Sequence, residues 1–402
     1  MRISTAQIYA AGVDSIARQQ DRLLQTQQQV AAGKRVLVPS DDPLAAAQAL
    51  TVQQAKDKVT QYSANNDTAK DALGLNDSVL SQVTDLLQSL RTTVVNAGTP
   101  GMNDSDRASL ATDAQSRLDE LIGLANTKDG DGRYLYAGFA SDVQPFVQAP
   151  GGVTYNGDQG TREIEVAPGR SLPLGANGSA VFEQIKNGNG SFAASAAGTN
   201  AGTGTISAGT VVNPALLPGD TYQLKFNVAG PVTTYDVIDV TTASTVSSGN
   251  AYTPGSAITV AGMQVSIGGA PANGDSFTLA PSTSQSIFTS IQNLINTLKT
   301  PATSPAATAA LQNGLTASLS DMDQALDHIL TVRADFGASL RELDSLATGN
   351  ADRSLQYDQT ISRLTDLDYN QALSDFARQQ LSLDAAQKSF LKITSLSLFN
   401  LL

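Results

Sequence analysis

From Pro43 to about Ala97 the chain contains no strong helix breaker, and Tyr62, Asn66, Ala69, Leu73, Asn76, Leu80, Val83, Leu87, Leu90 and Val94 alternate spacings of four and three. That alternation is a coiled-coil seam, the stripe along which a long helix meets a partner. At ~1.5 Å per residue the helix is a rod of roughly 80 Å. Near the other end Leu315, Leu319, Met322, Leu326, Ile329, Arg333, Phe336, Leu340 and Leu343 repeat the pattern, so the two seams predict each other as partners. Shorter stripes predict a helix over about 104–128, carrying Leu110, Ala114, Leu118, Leu121 and Ala125, and another over about 286–298, carrying Ile287, Ile291, Leu294 and Ile295.

The middle follows a different period. From "KDGDGRYLYAGF" (128–139) to about Ser282 the chain is rich in Gly, Thr, Val and Ser, with alternating runs such as "TYQLKFNV" (221–228), "TYDVIDV" (234–240) and "MQVSI" (263–267). Turn pairs such as Asn156-Gly157 and Asn273-Gly274 separate them, which predicts hairpins of an antiparallel β domain. The low-complexity stretch 188–210, "GNGSFAASAAGTNAGTGTISAGT", predicts a mobile loop.

At the extreme ends the repeat is seven residues. Tyr9, Ile16, Leu23 and Val30 form one line on the first helix beside Val13, Gln20 and Gln27; Tyr369, Phe376, Leu383 and Phe390 form the matching line on the last, beside Leu373, Gln380, Gln387, Thr394 and Leu401. Such narrow stripes do not stabilise a solitary helix, because isolated helices need packing to offset chain entropy. The ends are expected to order only when paired, and Tyr9, Ile16, Leu23, Val30, Tyr369, Leu373, Phe376, Leu383 and Phe390 are the candidate assembly interface.

These patterns give an α+β chain: a long antiparallel helical bundle or coiled coil formed by the N- and C-terminal thirds, with an inserted antiparallel β domain. The expected divisions are 1–42 and 363–402 for the terminal assembly coiled coil, 43–140 and 283–362 for the helical bundle, and 141–282 for the β insertion. Composition narrows the function. There is no Trp, and aromatics are 5 % of 402 residues, which favours thin bundles. The net charge of −12 offers no footprint for nucleic acid or an anionic membrane. With no Cys, disulfides, thiolate metal sites and Cys nucleophiles are excluded. The start has no apolar run and small-residue cleavage site of the Sec type, and no run reaches the ~18 apolar residues of a membrane span.

The N-terminal heptads followed by "VAAGKRVLVPSDDPLAAAQAL", the segment "HILTVRADFGASL" (328–340) and the C-terminal "SRLTDLDYNQALSDFARQQLSLDAAQKSFLKITSLSLFNLL" (362–402) resemble the ends of bacterial flagellins and hook-associated proteins. Within that superfamily "GRYLYAGF" (132–139), "VTYNGDQGTREIEVAPGRSLPLGANGSAVF" (153–182) and "GDSFTLAPSTSQSIFTSIQNLI" (274–295) resemble the hook-associated protein 3 family of the hook–filament junction. The resemblance implies a structural axial protein of the extracellular flagellum, exported unfolded through the flagellar type III channel. Its implied partners are further copies of itself in a ring or helical array, an adjoining hook-associated protein, flagellin and an export chaperone. No enzyme activity, cofactor, metal, nucleic acid or membrane is implied.

Two other classes compete: a short flagellin that forms the filament itself, and an enzyme or adhesin working through the β insertion, with residues such as Tyr155, Tyr222 and Tyr235. Candidate chemistry is thin. The single histidine, His328, lies on a helix flank with no second His or Cys. Asp129 and Asp131 open like an EF-hand loop, but Arg133 occupies a ligand position and no Glu closes the loop, so a tight turn is expected. Asp41-Asp42 before Pro43 reads as punctuation: Asp42 caps the long helix, Pro43 takes its first position, and Gly33 ends the preceding helix in a left-handed conformation. Asn66 and Asn76 on the seam are expected to fix register at a cost in stability. Arg333 is either a snorkelling side chain or one half of an ion pair.

Overall fold

The computed structural model describes residues 5–217 and 219–399. Seven α-helices are present among them: α1 (Thr5–Ala32), α2 (Pro43–Ala97), α3 (Asp104–Ala125), α4 (Gly178–Phe182), α5 (Ile287–Leu298), α6 (Pro305–Thr365) and α7 (Tyr369–Phe399). The chain divides into two compact units, one of Met1–Asn65 with Ser345–Leu402 and the other of Asn66–Asp344. Each unit takes part of α2 and part of α6.

In the Asn66–Asp344 unit the stripe read from the sequence is buried on α2 and only in part on α6, where Leu319, Leu326 and Leu340 are half-buried and Ser318 and Ala325 are buried in their place. Ala69, Leu73, Leu80, Val83, Leu87, Leu90 and Val94 of α2 are buried, as are Leu315, Met322, Ile329, Phe336 and Leu343 of α6. Ion pairs across the two helices fix their antiparallel register: Lys70 with Asp344 at 2.7 Å and Arg91 with Asp323 at 2.6 Å. Lys70 and Arg91 stand three heptads apart, and so do their partners, as a seam with a seven-residue period requires. Arg333 resolves to an ion pair, its Nε donating to Asp77 at 2.9 Å, with Nη1 on the Thr84 hydroxyl at 3.5 Å. Helices α3 and α5 complete this bundle. Ala111, Ala114, Leu118, Leu121 and Ala125 of α3 are buried, as are Ile287, Ile291, Leu294 and Ile295 of α5, while Leu110 is half-buried.

Strands β1 (Phe146–Ala149) and β2 (Gly152–Tyr155) form one antiparallel hairpin, and β3 (Glu163–Ala167) and β4 (Arg170–Pro173) another. Phe146 of β1 packs with Tyr155, Phe182 and Phe288, all at ring separations of 5.0–5.4 Å, so one cluster of aromatics lies where hairpin, α4 and α5 converge. Then come β5 (Ile185–Lys186), β6 (Phe192–Ala196), β7 (Thr205–Ile206), β8 (Thr210–Val211), β9 (Tyr222–Ala229), β10 (Val232–Asp239) and β11 (Ser244–Ala251). The last strands are β12 (Ala257–Val260), β13 (Met263–Gly268), β14 (Ser276–Pro281) and β15 (Ser284–Gln285). One antiparallel sheet has the order β11-β10-β9-β14-β6; a second joins β12, β13, β7 and β8. Leu224, Phe226, Val237 and Phe277 of the first share a core with Ile258, Val260, Val265 and Ile267 of the second. The alternating runs at 221–228, 234–240 and 263–267 correspond to β9, β10 and β13.

Two expectations for this region are corrected. The stretch 188–210 is not a mobile loop: it carries β6, β7 and the start of β8, with β6 paired to β14. Polar anchors hold it. The Asp275 carboxylate accepts from the amides of Ala201, Gly202 and Ala272, and Asn200 both donates to and accepts from the Ser276 backbone. Neither Asn-Gly pair closes a hairpin. The β1–β2 turn falls at Ala149–Gly152, and β13 and β14, which flank Asn273-Gly274, are not paired; Asn273 instead accepts from the Val228 amide at 3.1 Å. Both pairs supply turns that dock on non-adjacent chain.

The module rests on α6 through two side chains. Asn313 accepts from the Ile206 amide and donates to the Gly204 carbonyl, and Asp321 accepts from the Gly188 amide at 2.9 Å. Burial pushes the Asp321 carboxyl above the usual carboxylate range.

The two seam asparagines differ. Asn66 is buried with neither side-chain atom hydrogen-bonded, whereas the Asn76 amide donates to Ala72 O at 2.9 Å and to Leu174 O at 3.3 Å. Asn76 therefore ties the β3–β4 hairpin to α2. Asn66→Leu should raise the melting temperature more than Asn76→Leu, because both remove a buried side-chain oxygen without a partner but only Asn76→Leu also breaks a hydrogen bond to Leu174 O. Thermal unfolding of the two single variants checks this, and equal stabilisation by both would refute the tethering role of Asn76.

Candidate assembly interface

In the other unit, α1 and α7 run antiparallel along one another, and their heptads show how. Ile16, Leu23 and Val30 of α1 and Phe376, Leu383 and Phe390 of α7 are half-buried within the pair. Tyr9 packs against Phe390 with ring centroids 5.0 Å apart and the rings tilted by 54°, although 55 % of Tyr9 is still exposed. Tyr369 lies at the opposite end, its hydroxyl against the Cα of Gly33: a methyl group built there would sit 2.8 Å from it.

The second line of the seam departs from the sequence reading. Val13, Gln20 and Gln27 on α1, and Leu373, Gln380 and Gln387 on α7, point outward; Val13 is 47 % and Leu373 53 % exposed. Leu401 lies outside the described residues, and so does the side chain of Thr394. The inner positions are instead Gly12, Gln19 and Thr26 on α1, with Ala372, Gln379 and Ala386 on α7. Their smallness is the reason. A methyl group on Gly12 would come within 2.7 Å of the Phe390 ring, so the large rings of one line lie over the missing side chains of the other. A search for apolar residues passes over Gly, Ala, Thr and Gln. The seven-residue period, extended from Gly12 and Ala372, would have found them. Gln19 and Gln379 each leave a buried side-chain oxygen without a partner, so this seam is weaker than an all-aliphatic one.

Both helices end in a shared corner. Gly33, at φ +69°, terminates α1 as read from the sequence, and its carbonyl accepts from the Leu367 amide at 3.1 Å. The Arg35 amide donates to Thr365 O at 2.8 Å, and its guanidinium reaches Leu364 O and the Asp42 carboxylate at 2.8 and 2.9 Å. Asp42 also accepts from the Ala45 amide at 3.0 Å, which is the N-cap bond of α2, with Pro43 at the first helical position. Asp41 does different work: one oxygen accepts from the amides of Leu37 and Val38, the other from Gln25 on α1. The Ala45 amide, followed by Arg35, holds the Asp42 carboxyl below its ordinary range; the amides of Val38 and Leu37 do the same for Asp41. Lys56 of α2 meets Asp358 of α6 beyond the corner.

The remaining candidates for chemistry are committed to structure. His328 Nε2 lies 2.8 Å from Ala180 O. Asp129 Oδ1 accepts from the amides of Asp131 and Arg133, which makes the expected tight turn. Among the described residues no three His, Cys, Asp or Glu side chains gather as metal ligands, and no helix is long and apolar enough to cross a membrane.

Residues 3–141 match the family model of the bacterial flagellin N-terminal helical region. Over all of its 402 residues the chain is 30 % identical to flagellar hook-associated protein 3 of Escherichia coli (strain K12), covering 99 % of that protein. It resembles the crystal structure of flagellar hook-associated protein 3 from Legionella pneumophila with a TM-score of 0.74 and 33 % identity, over 78 % of this chain and 98 % of that one. The crystal structure of the flagellar junction protein from Legionella pneumophila gives a TM-score of 0.72 at 33 % identity, over 79 % of this chain and 100 % of that one.

Two predictions follow from the inner and outer lines and from the corner. Leu383→Glu places a charge in the α1–α7 seam and should destabilise that pair by about 2 kcal/mol or more, read as lost ellipticity at 222 nm. Leu373→Glu, on the outer line, should leave the ellipticity of the monomer unchanged. Asp42→Ala should lower the melting temperature at neutral pH. Because the folded-state pKa of Asp42 is depressed, its contribution is present above the ~3.9 of an unfolded aspartate and disappears as pH falls through the folded value. The gap between variant and wild type should therefore narrow as pH falls below the range of an unfolded aspartate, and a gap that does not change with pH would contradict the cap.

Proposed function

The chain belongs to the family of flagellar hook-associated protein 3, and from that premise we propose that it is a structural axial component of the bacterial flagellum, the adaptor at the junction of hook and filament. The observation that carries this reading is the end-to-end match: the terminal helices and the β insertion both align with hook-associated protein 3. The same match favours the adaptor over a filament flagellin. Such a component works outside the cell in contact with other flagellar proteins.

The finer mechanism is our reading of α1 and α7. Each spends its inner line on the other and keeps an outer line with Val13 and Leu373 exposed, so one folded pair can still dock on its neighbours. Repeating a head-to-tail contact generates a ring or a helical array. The outer neighbours are further copies of the chain, an adjoining hook-associated protein on one side and flagellin on the other. A seam rich in Gly, Gln, Thr and Ala is easily opened, which suits passage through an export channel in unfolded form and capture of α7 by a chaperone before secretion.

In a strain lacking its own hook-associated protein 3, expression of this chain should restore filaments, whereas the empty strain should build hooks and shed unpolymerised flagellin into the medium. Filaments that form equally well without any copy would exclude the junction role. Leu373→Glu should be secreted yet fail to restore filaments, and normal restoration would remove the outer line from the assembly surface.

A further inference from the structure

Six Asn-Gly pairs occur in the chain: Asn156-Gly157, Asn177-Gly178, Asn187-Gly188, Asn189-Gly190, Asn273-Gly274 and Asn313-Gly314. Asparagine is among the chemically labile residues, and such a pair carries a reaction of its own. The glycine nitrogen can close a five-membered ring on the asparagine Cγ, and a glycine has no Cβ to shield it or to restrict its backbone. Two groups must be free for this: the carboxamide that is attacked and the amide that attacks.

Five of the pairs have both groups engaged. Asn177 Oδ1 accepts from the Ala180 amide, and the Gly178 amide donates to Tyr136 O at 2.8 Å. Asn187 Oδ1 accepts from the Thr283 amide, while the Gly188 amide is held by Asp321. Asn189 Oδ1 accepts from the amides of Ser191 and Phe192, and the Gly190 amide donates to Asn187 O. Asn273 accepts from the Val228 amide, and the Gly274 amide donates to Phe226 O at 2.9 Å. Asn313 bridges Ile206 and Gly204, and Gly314 lies within α6.

Asn156-Gly157 differs on every count. Asn156 is exposed, and among the described residues none hydrogen-bonds to its carboxamide, to its carbonyl or to the Gly157 amide. The links on either side are fixed: the Asn156 amide donates to Pro145 O at 2.7 Å and the Asp158 amide to Ala137 O at 3.1 Å. One free peptide unit is therefore left between two that are held. The glycine is required by packing, because a Cβ there would lie 2.5 Å from the Tyr155 hydroxyl and 2.9 Å from Ala137 O. Close packing thus keeps a labile pair in place.

We propose that Asn156 is a site of spontaneous deamidation selected by the fold. Gly157 N gives its proton to solvent and bonds to Asn156 Cγ; the Cγ–Nδ2 bond breaks, ammonia leaves, and a succinimide remains. Water then opens the ring. Cleavage at Cγ gives aspartate, whereas cleavage at the main-chain carbonyl carbon gives isoaspartate, with an extra methylene in the backbone. Isoaspartate lengthens the link between Tyr155 and Asp158, both of which are tied to the segment 136–140. The Tyr155 hydroxyl lies 3.0 Å from Tyr136 O, and the Asp158 carboxylate accepts from the amides of Phe139 and Ala140 at 2.9 Å.

The full chain, incubated folded at mildly alkaline pH and mapped by peptide mass spectrometry, tests this. Asn156 should exchange amide for acid roughly tenfold or more faster than each of the other five, the factor that breaking one or two hydrogen bonds implies. Isoaspartate-specific methyl labelling should fall on the same peptide and vanish in Asn156→Ser, which should melt at the wild-type temperature when fresh. In denaturant the six rates should converge. Retention of the Asn156 amide in folded chain after the denatured control has reacted overturns the proposal, as does a folded-state rate at Asn156 no higher than at the other pairs. A lead for Asn156 that persists unchanged in denaturant assigns the reactivity to sequence and overturns selection by the fold.

Discussion

The fold depends on pairing the first third of the chain with the last. Each long helix offers a stripe that needs partners far away in sequence, so α2 and α6 depend on each other and on α3 and α5 to cover it. Closing so long a loop costs entropy, but the cost grows only logarithmically with length, and burial of the Leu- and Val-rich seam exceeds it. The ion pairs Lys70–Asp344 and Arg91–Asp323 add little energy, since exposed pairs are worth about 0–1 kcal/mol. Their effect is on register: an antiparallel slip by one heptad would place each cation away from its acid. Everything between Ala97 and Pro305 is then an insertion whose two ends must emerge together, and the β module meets that condition by seating Ile206 and Gly188 on Asn313 and Asp321 of α6.

The corner between α1 and α2 obeys a second constraint. Four helix ends leave unsatisfied amides and carbonyls there. Asp42 serves α2, Asp41 serves the extended link, and Arg35 joins the carbonyl of Leu364 to the carboxylate of Asp42. Two adjacent acids before a proline look like a catalytic pair, yet each oxygen is occupied by a backbone amide, a side-chain amide or a guanidinium. Low carboxyl pKa values here are the signature of capping, not of acid–base work.

The sequence made legible whatever depends on a period of large apolar side chains. The seam from Ala69 to Val94, the faces of α3 and α5, and strands β9, β10 and β13 all follow from spacing. What escaped has a common cause: the interaction runs through small or polar groups. The stretch 188–210 is ordered by Asn200 and Asp275 bonding to backbone, and a composition of Gly, Ala, Ser and Thr carries no trace of where those acceptors are. The inner line of the terminal pair was misplaced by one position on each helix, from Val13 to Gly12 and from Leu373 to Ala372, because apolarity was weighed above size. Asn273-Gly274 was recognised as a turn, but the strand it docks on, β9, is remote in sequence.

Seam composition also grades stability along the molecule. In the Asn66–Asp344 unit the α2 line from Leu73 to Val94 carries one polar residue, Asn76, whose amide donates to Ala72 O and Leu174 O while its oxygen is buried without a partner. In the terminal unit every second inner position is Gly, Gln, Thr or Ala, and two of the glutamines hold buried oxygens with no partner. Local opening follows buried apolar contact, so α1 and α7 part more readily than the long seam. In the assembly we propose, the outer line, with Val13 and Leu373 exposed, gains most from a neighbour, because docking there would cover apolar surface and at the same time close a weak pair. A strong inner seam would make the terminal helices self-sufficient; a weak one suits helices whose stability is completed by what they join.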